Sequence, residues 1–257
     1  MDALTRLGRY FFAIPMVVFG IQYFLYGRFV GGLSPVPPWA PGGRIGAYVA
    51  GAVLVSTGLS ILIDKGTRRS ALLLGGFYLA CVVLLHTRKF SDILHDGVAR
   101  TRALEPLALC GAAFVLAAGA AVRSGWEEAR HKSDWILLGG RLLFAFPMVI
   151  FGIQHFQYAQ FIATLIPAWI PVPLFLTHLT GVAFIAAGAG IELPWTRRMA
   201  ATWLGIMFLL WVVLLHAPRV VGSPHNGDEW TSAFVALAMC GGAFIVARTG
   251  TGRPDSM

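Results

Sequence analysis

The side chains able to do chemistry in this 257-residue chain are mostly amides, imidazoles and phenols set inside apolar runs. Gln22-Tyr23 and Gln154-His155 occupy matching places in two such runs, and Tyr48 and His178 match in two others. His86 and His216 each close a Val-Leu-Leu-His stretch, with His95 and His225 in the segments beyond. Polar groups at membrane depth are costly and mark functional or packing sites. Three chemistries suit this set. Imidazoles and amides walled by Phe and Trp can hold the carbonyl oxygens of a quinone headgroup, and a histidine can shuttle its proton. The same groups can hydrogen-bond across helices or anchor at the bilayer interface. His86 and His216 on facing helices would suit haem ligation, although neither C-x-x-C-H nor H-E-x-x-H occurs. The candidate ligand-binding residues are therefore Gln22, Tyr23, Tyr48 and His86 in the first half, and Gln154, His155, His178 and His216 in the second. Quinone is the candidate cofactor, and no residue is assigned a catalytic or metal-binding role.

Other chemistries lack their usual parts. There is no G-x-S-x-G, no P-loop and no paired carboxylates inside an apolar run. Asp64, Glu105 and Glu192 flank such runs, and are expected as interface residues, Glu105 beside Arg102 and Glu192 beside Arg197-Arg198. Cys81, Cys110 and Cys240 form no C-x-x-C pair and read as small packing residues.

The elements that must position these groups follow from composition. The chain is 57% hydrophobic and 12% charged, against roughly 25% charged in a soluble domain. Its mean hydropathy is +0.71. These values exclude a disordered chain, a disulfide-stapled domain and a typical soluble enzyme. The formal charge is +8, but the basic residues sit in short clusters between apolar runs, as orientation signals do. Nucleic acid is excluded as a partner; the lipid bilayer is the expected one.

A helix crosses a bilayer in about 20 apolar residues. Six stretches free of Asp, Glu, Lys and Arg each supply one span: 10–27, 45–63, 70–87, 106–122, 199–218 and 230–247. Residues 142–191 are also free of them and long enough for two, with a turn at Pro167–Pro173, where three prolines in seven residues cannot continue a helix. The total is eight. Placing the N-terminus in the cytoplasm puts 13 Lys and Arg inside and 7 outside, so both termini are expected there. The Pro-rich segments 31–43 and 163–175 are expected in the outer interface, with Trp39 and Trp169 at headgroup depth.

The sequence also repeats itself. Residues 8–24 match residues 140–156 at an offset of 132, with 12 of 17 positions identical. The match continues at 130, pairing Gly51 with Gly181, His95 with His225 and Cys110-Gly111 with Cys240-Gly241. The expected fold is an all-α integral membrane protein of eight transmembrane helices, built as two tandem four-helix-bundle repeats, residues 1–122 and 140–257, joined by a charged cytoplasmic linker, 123–139. Four spans per repeat is even, so the two repeats are expected parallel, about an axis along the membrane normal. Pro15 and Pro147 lie inside their spans and are expected to kink them.

The second half resembles the DoxX-like family of small four-helix membrane proteins. The resemblance rests on Phe161 to Pro171, then Thr180-Gly181-Val182-Ala183, Gly188, Gly190 and Thr196-Arg197-Arg198. It covers most of residues 140–247 and, more faintly, 8–121. Many relatives carry a glutamate just after the Thr-Gly-Val-Ala stretch, where this chain has Phe184 and, in the first half, Val53-Leu54. The resemblance implies a four-helix unit in a bacterial-type inner membrane. Some relatives are implicated as membrane parts of thiosulfate:quinone oxidoreductases or redox-defence assemblies, so a redox protein is an expected partner. The reading is a membrane subunit or quinone-interacting partner of a redox system, more a binding protein than an enzyme by itself. The alternative is a small-solute transporter or scaffold without a redox role.

Overall fold

The computed structural model describes residues 3–29, 42–86, 90–123 and 127–250. Every regular element among them is helical. Among the described residues eight helical stretches are long and apolar enough to cross a membrane, as expected of a multi-pass protein, two of them (Thr67–His86 and Arg197–Gly222) only with the turns that continue α3 and α9. In chain order they are α1 (Ala3–Tyr26), α2 (Gly43–Leu62), α3 (Thr67–Cys81), α5 (Gly97–Arg123), α6 (Glu127–Gln157), α8 (Pro173–Glu192), α9 (Arg197–Trp211) and α11 (Gly227–Ala247). The short helices α4 (Phe90–His95), α7 (Ala159–Ala163) and α10 (Ala217–Gly222) lie between them. Both α3 and α9 run on into one π-helical turn, Val82–His86 and Val212–His216, of identical sequence Val-Val-Leu-Leu-His. Such turns are rare and recur at functional sites.

Two boundaries differ from the expectation, for one reason. The span expected to start at Pro106 is a helix from Gly97, and the segment expected as a linker is helical from Glu127 onward. A charge-free window stops at a charged residue, but a helix does not when that residue has somewhere polar to point. The chain turn before α8 is as expected. Helix α7 ends at Ala163, and α8 opens with Pro173 in its first turn, where a missing N–H costs nothing. Val172 before it takes a left-handed φ of 51°. The companion segment 31–43, with Trp39, lies outside the described residues up to position 41.

Helices α5 and α11 form the centre, each with 72% of its apolar window buried inside the bundle. Helix α1 packs on α2 and α11, and α6 packs on α8 and α5. Glycine makes these approaches possible. A Cβ placed on Gly20 would lie 2.6 Å from the carbonyl oxygen of Gly51, and one on Gly152 would lie 2.6 Å from that of Gly181. Between the halves, a Cβ on Gly111 would lie 2.5 Å from Gly140 O, and one on Gly241 would lie 2.7 Å from Gly8 O. In lipid, helices gain little from apolar burial and associate by such close backbone packing.

Two ion pairs close the end of the bundle where α1 and α6 enter. Arg9 Nη1 meets Asp64 Oδ2 at 2.5 Å, and Arg141 Nη2 meets Glu192 Oε2 at 3.7 Å. Glu192 was expected beside Arg197-Arg198. It does lie beside Arg197, which donates Nη2 to the Glu192 carbonyl at 3.4 Å and Nε to the Ile191 carbonyl at 2.8 Å, tying α9 to the end of α8 by backbone.

Candidate functional site

At the opposite end the helices part around a cavity of about 680 Å³, within the range of small-molecule sites. Its walls come from α5, α6, α8, α9 with the π-turn after it, α10 and α11, and its mouth from α7 and the turn that follows. Helix rise sets its depth. Phe184 lies 11 residues into α8 and Met239 12 residues into α11, or about 16–18 Å from the helix starts at 1.5 Å per residue. The cavity therefore descends to roughly mid-span.

The inner wall is aromatic. Phe184 packs against Phe151, Phe208 and Trp211 at ring-centroid distances of 6.0, 5.6 and 5.5 Å, all edge-to-face, and Phe208 meets Trp211 at 5.7 Å. Edge-to-face pairs add about 0.5–1.5 kcal/mol each beyond area burial, so these four rings hold one another in place. His155 joins them, stacked on Trp211 at 6.0 Å and tilted against Phe184 at 5.2 Å.

Polar groups gather above this wall. His155 is 9% exposed and its Nδ1 lies 2.7 Å from the Phe151 carbonyl. A carbonyl only accepts, so Nδ1 carries the proton and the neutral ring keeps its lone pair on Nε2. Gln154 Nε2 donates to Gly97 O at 2.9 Å and to Thr101 Oγ1 at 3.2 Å, across to α5. Its Oε1 is buried with no hydrogen-bond partner among the described residues, and the same holds for His216 Nδ1. Arg102 and Glu105 line the cavity from one face of α5, three residues apart. At the mouth, Arg219 Nη2 donates to the Leu165 carbonyl at 3.0 Å and fastens the turn after α7 to α10.

Of the eight residues singled out from sequence, Gln154, His155 and His216 line this cavity. The other five do not. Gln22 accepts from Thr231 Oγ1 at 3.3 Å on α11. Tyr23 is fully buried and packs edge-on against Phe29 at 5.5 Å. Tyr48 stacks on Phe24, and His178 on Phe156, both against rings about 45% exposed at the bundle's outer surface. His86 ends its π-turn half-buried in the first half. In the first half the places of Phe184, Phe208 and Trp211 are taken by Leu54, Tyr78 and Cys81. There Tyr78 is fully buried and donates its hydroxyl to Met16 Sδ at 2.9 Å.

Several lining residues escaped the sequence reading: Thr101, Arg102, Trp211, Arg219 and, above all, Glu105. Glu105 was expected at a span end, yet it sits eight residues inside α5, about 12 Å along it. Comparing the halves position by position would have flagged the aromatic wall, because the repeat breaks there while Gln22/Gln154 and His86/His216 are retained.

Comparison with known proteins adds one match. Residues 144–222 match the family model described as "Domain of unknown function (DUF8561)". That stretch runs from within α6 to the end of α10 and carries Phe151, Gln154, His155, Phe184, Trp211 and His216. No curated protein matches the chain, and no solved structure does.

Proposed function

We propose that this chain is a DoxX-like protein of a bacterial-type inner membrane that holds a quinone-class ligand in the cavity beside His155, as a membrane subunit or partner of a redox protein. The observation that carries the reading is the combination in one cavity of an aromatic inner wall and the polar groups of His155 and Gln154 directly above it. A flat, mostly apolar headgroup fits between rings, and the few polar groups fix its orientation. The apolar residues at the mouth, Phe161, Ile162, Leu165 and Ile166, suit the start of an aliphatic tail.

The same reading takes the molecule as two head-to-tail copies in parallel, with both termini in the cytoplasm. The matched glycine approaches, Gly20 with Gly51 and Gly152 with Gly181, support it. So does the excess of Lys and Arg on the side assigned to the cytoplasm.

The test is purification in mild detergent, extraction of bound lipid and a visible spectrum. A quinone should co-purify with the unaltered protein and be lost from His155→Ala. Its absence from the unaltered protein would overturn the assignment, and a Soret band would replace quinone by haem.

A further inference from the structure

We infer that the cavity selects a neutral ligand that presents a hydroxyl, a phenol or the reduced quinol, over one that presents only carbonyl or ether oxygens. The inference rests on the cavity reading above and names the chemical form that the cavity prefers.

Three hydroxyls on the wall have already spent their protons on their own helices. Thr101 Oγ1 donates to Gly97 O at 3.0 Å, Thr177 Oγ1 to Pro173 O at 2.9 Å and Ser232 Oγ to Asp228 O at 2.9 Å. Both amide protons of Gln154 are committed to α5, which leaves its carbonyl oxygen as the unpaired group. The one proton of neutral His155 is committed to Phe151 O, which leaves Nε2 as an acceptor. Beside it, with ring centroids 6.0 Å apart, stacks Trp211, whose indole N–H is a donor only. A hydroxyl can give its proton to His155 and accept from an indole N–H. A carbonyl can only accept, and an ether likewise. With either of them filling the cavity and displacing water, the His155 lone pair would have no donor, and an unmet polar group in a closed site is expensive. Arg102 and Arg219 can donate to a carbonyl, an ether or a hydroxyl alike, and the neutral donors in His216, Thr180 and Tyr158 can act as acceptors too, so none of these groups reverses the preference set at His155.

The charged lining sets the second condition. Asp96 and Glu105 face the cavity with Arg102 and Arg219, so acidic and basic side chains match in number. An anion would meet two acid groups as well as two guanidiniums, so the set favours an uncharged ligand.

The experiment uses the full chain in lipid nanodiscs, with empty nanodiscs as the partition baseline, and three probes of one size: para-heptylphenol, its methyl ether and para-heptylbenzoate. The phenol should bind the unaltered protein about tenfold or more tightly than the ether, which is the cost of one unmet buried polar group expressed as affinity. The benzoate should bind less tightly than the phenol. His155→Phe keeps an aromatic ring in the wall and removes the lone pair, so the phenol-to-ether ratio should fall to about one. Equal binding of phenol and ether by the unaltered protein overturns the hydroxyl selection, and tightest binding of the benzoate overturns the neutral-ligand condition. If none of the three binds above empty nanodiscs, the cavity reading itself fails.

Discussion

Gln154 Nε2 donates to Thr101 Oγ1 at 3.2 Å, and 130 residues beyond Thr101, Thr231 Oγ1 donates to Gln22 Oε1 at 3.3 Å. Each glutamine sits near the end of a helix that opens one half of the chain, and each threonine sits one turn into the helix that closes the other half. The two bonds therefore bridge α6 to α5 and α1 to α11. Interhelical bonds of this kind contribute about 0.6 kcal/mol on average in lipid, so they steer register more than they supply stability. Thr101→Val keeps the side-chain shape and removes the acceptor. It should lower stability by about 0.5–1 kcal/mol and also loosen the Gln154 amide, read as an earlier unfolding midpoint in mixed-micelle SDS titration. An unchanged midpoint would mean that the bond is replaced by water.

These bonds show where sequence reading stops. The eight spans were legible because charge-free stretches of the right length are a direct consequence of bilayer thickness. The partner of Gln22 was not legible, since Thr231 is 209 residues away and nothing local announces it. Glu105 was misplaced because a carboxylate reads as the end of a span when its surroundings are unknown. His178 resembled His155 as a polar residue in an apolar run, but one stacks outward on Phe156 and the other inward on Trp211. Helix rotation decides that difference, and the small-residue faces of α6 and α8 set the rotation only through their partners.

The two ion pairs at the far end are unequal, and substitution should show it. Arg9 is 6% exposed and meets Asp64 at 2.5 Å, and Thr67 Oγ1 donates to the other oxygen of that carboxylate at 2.6 Å. Removing one partner of a buried pair strands a charge, at about 3–5 kcal/mol when fully buried. Because the Asp64 side chain is 38% exposed, Asp64→Asn should cost about 1–3 kcal/mol. Glu192→Gln breaks a looser contact at 3.7 Å and should cost under about 1 kcal/mol. The SDS-unfolding midpoints of the two variants would check the order.

Orientation can be read with single cysteines, because Cys81, Cys110 and Cys240 are all buried and should stay silent toward an impermeant maleimide. Ser223 is exposed beside the cavity end, between α10 and α11, and Arg198 is exposed at the start of α9. Ser223→Cys should label in intact cells. Arg198→Cys should label only after permeabilisation. The reverse pattern would put the cavity on the cytoplasmic side and invert the assignment made from basic residues.

Phe184 tests whether the aromatic wall is a rigid part of the molecule. It is 1% exposed and touches the rings of Phe151, His155, Phe208 and Trp211. In lipid the transfer component of a large-to-small change is small, because a ring is as comfortable in acyl chains as in the bundle. What remains is the void. A gap of roughly 100 Å³ at about 24 cal/mol per Å³ gives at most about 2 kcal/mol for Phe184→Ala, because the gap opens onto the cavity that Phe184 lines. Phe146, on the same apolar run but 54% exposed, leaves no closed void when truncated, so Phe146→Ala should stay within about 0.5 kcal/mol of the unaltered protein. The difference between the two SDS-unfolding midpoints isolates the packing contribution. If Phe184→Ala costs no more than Phe146→Ala, the four rings are not holding one another, and the wall that orients His155 is soft.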